Sequence, residues 1–485
     1  MRHRSAWLAL ASLASVSALF LACGGGDDAS SGDDDATGGD ASTTDGTILG
    51  DGALQGDGAA VCTDPSCPFY VCEDGGSTTV SGTVFMPNGT VTLPNVNVYV
   101  PSGTLAPLAH GVGSSCVPCA EAPPGALVST TTNANGHFTL KVPSTPNAQV
   151  VIEIGKWRKV LTLKTAPTAC TDTPLGTVDT TLPKSTKDLA GQATSVDLPV
   201  IAISTGSTDN LECMIRAIGI ADGEFTSGPV TATSPGRVHL FVDTDNSTGP
   251  GGGAGTGAAS FTPDSGLTNE DSTLQFSESS QHLWDTAGDL VPFDLVALAC
   301  EGRAIPDNKP QTAVDAMKAY ANAGGHVYLS HWHNFFIAGD VSGSSGRTGA
   351  WPQVATWVGG FNDVPHGSSA ALVDPTVRAW LGTDAGLVPI KDDTSFQTSR
   401  AVDAGTEVAR FDGVNAGPTV SVPIFHFTTP VEAAASARCG EVAYSDIHSA
   451  LPNTNSTFPK ECLGQITPQD ELLMYELFDL ARCGK

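Results

Sequence analysis

FDLVALACEG (residues 293–302), TAVDAMKAYANAGG (312–325) and HVYLSHWH (326–333) decide how this chain is read. A continuous apolar run between turn residues reads as a strand buried on both faces, and two such runs joined by one amphipathic helix make a βαβ unit. Asp294 to Ala299 is the first expected strand, Thr312 to Ala323 the helix, Gly324-Gly325 its stop and His326 to Ser330 the second strand. The expected pairing is therefore parallel.

Outward from this unit, LPVIAISTG (198–206) and DNLECMIRAIGI (209–220) read as strand and helix, with Asp209 or Asn210 as the cap. RVHLFV (237–242) supplies another strand, and late strands are expected over Thr419 to Phe427 and Glu441 to Ser445. Thr467-Pro468-Gln469-Asp470 opens a closing helix with Pro at its first position.

This core resembles the class I glutamine amidotransferase-like superfamily, above all its ThuA-like branch. A GG pair precedes a strand that ends in a His, and GEVAYSDIH (440–448) is similar to that branch's final strand and terminal histidine. The resemblance spans about residues 197–485 and implies a doubly wound, flavodoxin-like α/β domain. It departs at the nucleophile: relatives carry a Cys after the strand, where this chain has Ser330-His331.

Upstream, TVSGTVFM (79–86), NVNVYVP (95–101), ALVSTTTN (126–133), GHFTLKVP (136–143) and AQVVIEIGKW (148–157) are short, Val- and Thr-rich and punctuated by Asn, Gly and Pro. Their order resembles the carboxypeptidase regulatory-like domain, a transthyretin-like β-sandwich, over residues 61–165. The expected fold class is thus multidomain, a small β-sandwich followed by the α/β domain, with 166–196 as a Pro/Thr linker. Lys156-Trp157-Arg158-Lys159 reads as a solvated strand end with Trp157 packed, or as a glycan contact.

At the start, Arg2 and Arg4 precede an apolar stretch from Ala6 to Phe20 and then Leu21-Ala22-Cys23. This resembles a bacterial lipoprotein signal (1–22), implying lipid attachment at Cys23 and export to the cell envelope, with the outer membrane implied by Gly24. Residues 23–60 have almost no large apolar side chains and read as an acidic tether. The 51 Asp and Glu against 23 Lys and Arg give a formal charge of -28, which disfavours nucleic acid as a partner.

Twelve cysteines suit an oxidising compartment. Cys62, Cys67, Cys72, Cys116, Cys119 and Cys170 are the candidates for three disulfides, with metal as the other reading of Cys116-Val-Pro-Cys119. Cys213, Cys300, Cys439, Cys462 and Cys483 are an odd set, so at least one is free or paired outside the chain.

Ligands of open parallel sheets bind beyond the C-terminal strand ends. Thr205, Asp243, Cys300, Glu301, His331, His333, Asp446 and His448 fall there. On an extended backbone His331 and His333 would point the same way, and with Asp446 and His448 they form a candidate zinc set. The plain alternative is histidines bonded to loop backbone. Asp243, Asp245 and Ser247 alternate as calcium ligands do, but without the rest of an EF-hand loop. With no catalytic residue identified, the expected function is a binding or structural envelope lipoprotein, with a glycan or protein as partner. A metal-dependent hydrolase at the sheet edge is the alternative.

Overall fold

The computed structural model describes residues 69, 72–73, 75–113, 123–206, 209–242, 278–302, 304–341, 345–362, 369–382, 386–390, 396–402, 404–411, 421–451, 458, 462 and 464–482. The expected βαβ unit is present. Leu295–Leu298 and His326–Ser330 pair in parallel, Leu295 opposite His326 and Leu298 opposite Leu329. Helix Gln311–Asn322 joins them. Gly324, at φ +108°, ends that helix in a conformation an L side chain resists.

The unit lies inside a ten-stranded mixed sheet. In order its strands are Phe225–Ser227, Val238–Phe241, Ile201–Ser204, Leu295–Leu298, His326–Ser330, Gly440–Ser445, Ser421–Thr429, Thr406–Phe411, Ser369–Leu372 and Leu387–Pro389. The first six run parallel and the rest antiparallel. From Ile201–Ser204 the chain first builds to one side and later crosses to Leu295–Leu298 on the other. The direction in which strands are added therefore reverses between those two strands.

Strand alternation divides the core in two. Ile201, Ile203, Leu295, Ala297 and Tyr328 pack with helices Leu211–Ile218 and Pro468–Ala481. Ala202, Val296, Leu298, Val327 and Leu329 pack on the opposite face with helix Gln311–Asn322. Helices thus cover both faces, which is why these strands are apolar throughout. Helix Pro468–Ala481 is capped by reciprocal bonds between Thr467 and Asp470 and is buried nearly all round.

Residues 79–197 build two further sheets. Thr79–Thr83 lies between His137–Lys141 and Asp172–Pro174. The five-stranded sheet runs Ala126–Thr131, Asn97–Pro101, Gln149–Ile154, Trp157–Thr162, Ala193–Asp197. Val80, Phe138 and Leu140 of one meet Val98, Val150, Ile152 and Leu161 of the other in one core. The expected linker 166–196 is corrected here: it supplies an edge strand, Asp172–Pro174, and runs into Ala193–Asp197 at the edge of the larger sheet.

That core continues into the α/β part without a gap. Trp157 is fully buried, its ring centroid 4.6 Å from that of Phe478 in the last helix. Such a pair contributes about 1 kcal/mol beyond its area burial. Lys159 is also buried, donating to the carbonyls of Val178 (2.6 Å) and Thr181 (3.0 Å), so the KWRK segment is not a solvated strand end. Trp380 Nε1 donates to Thr92 O (2.8 Å) and the Asn88 N–H to Ile218 O (2.7 Å) across the same seam.

Candidate functional site

Three adjacent parallel strands end at Leu298, Ser330 and Ser445, and the residues just beyond them converge. Cys300 Sγ lies 3.4 Å from His331 Nδ1. His448 Nε2 lies 3.0 Å from the same His331 Nδ1. On the other side of that ring, His331 Nε2 is 3.5 Å from Asp446 Oδ1. Cys300 and His331 are buried, and His448 is half-buried.

His331 reaches this position through an unusual backbone. The strand stops at Ser330, His331 takes φ +41°, and His331–His333 form a 3₁₀ turn. A non-glycine residue held at positive φ costs roughly 1–3 kcal/mol, and such strain concentrates at functional sites. The turn is braced by the Tyr444 hydroxyl, which donates to Asp446 Oδ1 (3.0 Å) with the His331 carbonyl 3.2 Å away. Burial, and then the neighbouring Asp446 carboxylate, push the Tyr444 pKa well above its usual value.

The turn also corrects one sequence expectation. His333 does not share a direction with His331, because three residues of 3₁₀ helix replace the assumed extended backbone. Its Nε2 contacts the Ala299 carbonyl at 3.0 Å and its ring packs on Trp284 and Phe336. Burial, reinforced by the Lys309 charge, holds its pKa well below 6.5. His333 is a core histidine, and of the four expected ligands His331, Asp446 and His448 come together.

Cys300 takes the vacated place in the set. It was assigned to the rim but not to the ligands, although the odd cysteine count already required a thiol without an internal partner. Among the described residues Cys300 is the free cysteine. The Gly302 N–H donates to its sulfur (3.3 Å), and the next residue, Glu301, anchors the loop through a buried ion pair with Lys309 Nζ (2.6 Å).

A second layer surrounds the histidines. Ser330 Oγ donates to Asp209 Oδ2 (2.6 Å), and the Ser449 N–H donates to Asp209 Oδ1 (3.0 Å). Ser449 Oγ donates to Asp470 Oδ1 (3.0 Å), and Gln469 Nε2 donates to the His448 carbonyl (2.7 Å). One turn along the helix from Asp209, burial and then the Asp209 charge push Glu212 up to about 8.

Of the cysteines expected to pair, Cys72 and Cys170 form a disulfide, with their Cα atoms 5.7 Å apart. Cys213–Cys462 is a second, joining the helix after Asp209 to the segment after His448. Cys23, Cys62, Cys67, Cys116 and Cys119, and the calcium-like Asp243, Asp245 and Ser247, lie outside the described residues.

Cys300, His331 and His448 have one ligand atom each within 4.8 Å of the others. In a tetrahedral zinc site, Zn–N of about 2.0 Å and Zn–S of about 2.3 Å place neighbouring ligand atoms about 3.3 Å (N···N) and about 3.5 Å (N···S) apart. The observed 3.0 and 3.4 Å are close to these. A neutral or protonated ring nitrogen has one in-plane position to share, yet His331 Nδ1 faces two partners. A cation between the three would satisfy all of them.

No protein-family model matches the chain, and no curated protein is similar to it in sequence. Among solved structures, a cold-adapted β-galactosidase from Rahnella sp. R3 is similar at 14% identity and a TM-score of 0.25, over 59% of this chain and 32% of that one. A cytoplasmic protein from Salmonella typhimurium is similar at 10% identity and a TM-score of 0.30, over 59% of this chain and 100% of that one. The chain spans about a third of the β-galactosidase, and at these scores neither likeness bears on function.

Proposed function

We propose that this is an exported envelope lipoprotein, acylated at Cys23, whose α/β part is a doubly wound, flavodoxin-like domain with a metal-dependent hydrolytic site. The single observation behind the site is the convergence of Cys300 Sγ, His331 Nδ1 and His448 Nε2. A thiolate and two imidazoles are a donor set that zinc favours, and three protein ligands leave a fourth position for water or substrate. Bound by Cys300, His331 and His448, zinc would supply a Lewis acid for a carbonyl and would bring the pKa of water to about 7. Asp446 Oδ1, 3.5 Å from Nε2, stands on the side of the ring where the carboxylate of a carboxylate–histidine–metal relay belongs. In keeping with the resemblance, residues 79–197 are a carboxypeptidase regulatory-like sandwich, and the amidotransferase nucleophile is replaced by this site.

Elemental analysis of the purified full chain tests the reading. Near-stoichiometric zinc, lost in His448→Ala, together with ester or amide hydrolysis that a chelator abolishes, is expected; zinc-free wild-type protein refutes it. The burial of Cys300 and His331 favours a second reading, in which the same metal is structural and the protein binds an envelope glycan or protein. Stoichiometric zinc without hydrolysis, beside retention on peptidoglycan, would select that reading. For the anchor, Cys23→Ser should move the protein from the membrane to the soluble fraction, and an unchanged membrane fraction would refute acylation there.

A further inference from the structure

The two histidines come from different strand ends, and one buried carboxylate from a third element ties their backbones together. Asp209 stands two residues before helix Leu211–Ile218 and is 1% exposed. One oxygen accepts from the hydroxyl of Ser330, the residue immediately before His331, at 2.6 Å. The other accepts from the backbone N–H of Ser449, the residue immediately after His448, at 3.0 Å. These partners are 121 and 240 residues away in sequence, so neither bond is a local turn or cap.

We infer that Asp209 is the positioning residue of the Cys300–His331–His448 site, setting the distance between the two histidines from their far sides. This rests on the metal reading above. The pieces around the clamp are themselves fixed. Cys213, one turn along the helix from Asp209, is joined to Cys462, while Asp470 holds Ser449 and Gln469 holds the His448 carbonyl. Asp209 therefore acts from a rigid base on the two segments that must not drift. Ligands displaced by more than about 0.5 Å lose the geometry a metal requires, and loss of such outer partners typically weakens metal binding ~10–100-fold.

A merely structural Asp209 would lower stability without changing the metal. Cobalt(II) separates the two roles, because its d–d and sulfur-to-metal bands report ligand identity and geometry. Titrated with Co²⁺, the wild-type full chain should bind one equivalent with a thiolate band. Asp209→Ala and Ser330→Ala should bind ~10–100-fold more weakly with shifted d–d bands, and Asp209→Ala should fall furthest because it removes both acceptor oxygens. Variants with wild-type affinity and spectrum would overturn the inference and leave the metal site standing. A wild-type chain that takes up no Co²⁺ would overturn the metal reading and this inference with it. If Asp209→Ala does not fold, Ser330→Ala, which cuts one arm only, carries the same expectation and the same refutation.

Discussion

Histidine 110 offers the sharpest test of how the two parts of the molecule are joined. It follows strand Asn97–Pro101 and sits between Asp197, at the end of the five-stranded sheet, and Asp294, at the start of the central βαβ unit. Its Nε2 is 3.2 Å from Asp197 Oδ1 and its Nδ1 is 2.8 Å from Asp294 Oδ2, with 17% of the side chain exposed. The hydrogen bond to Asp197, then that to Asp294, raise its pKa from 6.5 to about 8, against burial and the charge of Arg237. At ~1.36 kcal/mol per pH unit the rise is worth about 2 kcal/mol of folding free energy. Because the folded value lies above the unfolded one, this stabilisation is complete below about pH 6.5 and is lost as pH rises through about 8. Buried Glu212, raised to about 8, also loses stabilisation as pH rises, whereas His326, lowered to about 4 by burial, loses it on the acid side of its unfolded value. Both groups remain in His110→Gln, so they cancel in the difference. Asp294 keeps the N–H donors of Gly111 and Val200, each at 2.8 Å, so the variant should fold. Urea unfolding at constant ionic strength should find wild type ahead of His110→Gln by about 2 kcal/mol more at about pH 6 than at about pH 9. A difference independent of pH would refute the account of His110 as a charged clasp.

Other expectations follow from the same geometry. Cys213→Ala opens a bridge spanning 249 residues and should cost about 3–5 kcal/mol by urea unfolding; no loss would show that the bridge does not hold the folded state. Trp157→Ala should cost about 3–5 kcal/mol, and a loss below ~1 kcal/mol would mean the seam with Phe478 is not tightly packed. Lys309→Met strands the Glu301 carboxylate beside Cys300 and should cost about 3–5 kcal/mol, while Glu301→Gln/Lys309→Met should recover most of it; a double variant as unstable as the single one would contradict a charge-pair origin.

The sequence was most legible where local pattern and tertiary role coincide. Leu295–Leu298, His326–Ser330 and helix Gln311–Asn322 are apolar in the period their burial demands, and Thr467 with Asp470 marks the last helix by chemistry confined to one turn. Asp172–Pro174 and Ala193–Asp197 escaped notice because edge strands are exposed along much of their length and carry no apolar period. Trp157 packs as expected, but Lys159 misled because flanking charges suggested solvent, whereas its burial depends on carbonyls from a later segment. At the site, strand-end position placed His331, Asp446 and His448 together. Nothing in a histidine's identity announces φ +41°, so the direction of His333 was not readable. Nor was Asp209, whose partners become neighbours only when the sheet is assembled.

The place of strand Gly440–Ser445 has a temporal consequence. It is the sole link in the sheet between the parallel strands and the antiparallel ones, yet Ser369–Leu372, Thr406–Phe411 and Ser421–Thr429 are all made before it. As the polypeptide elongates, those strands have one another to pair with, but their connection to His326–Ser330 runs through a segment still to come. Insertion of Gly440–Ser445 is then a zipper stroke that joins the halves, and it carries His448, three residues beyond its end, to His331 in the same event. The meeting of His331 with His448 and the joining of the sheet thus depend on the same segment, so a chain arrested short of residue 440 has neither.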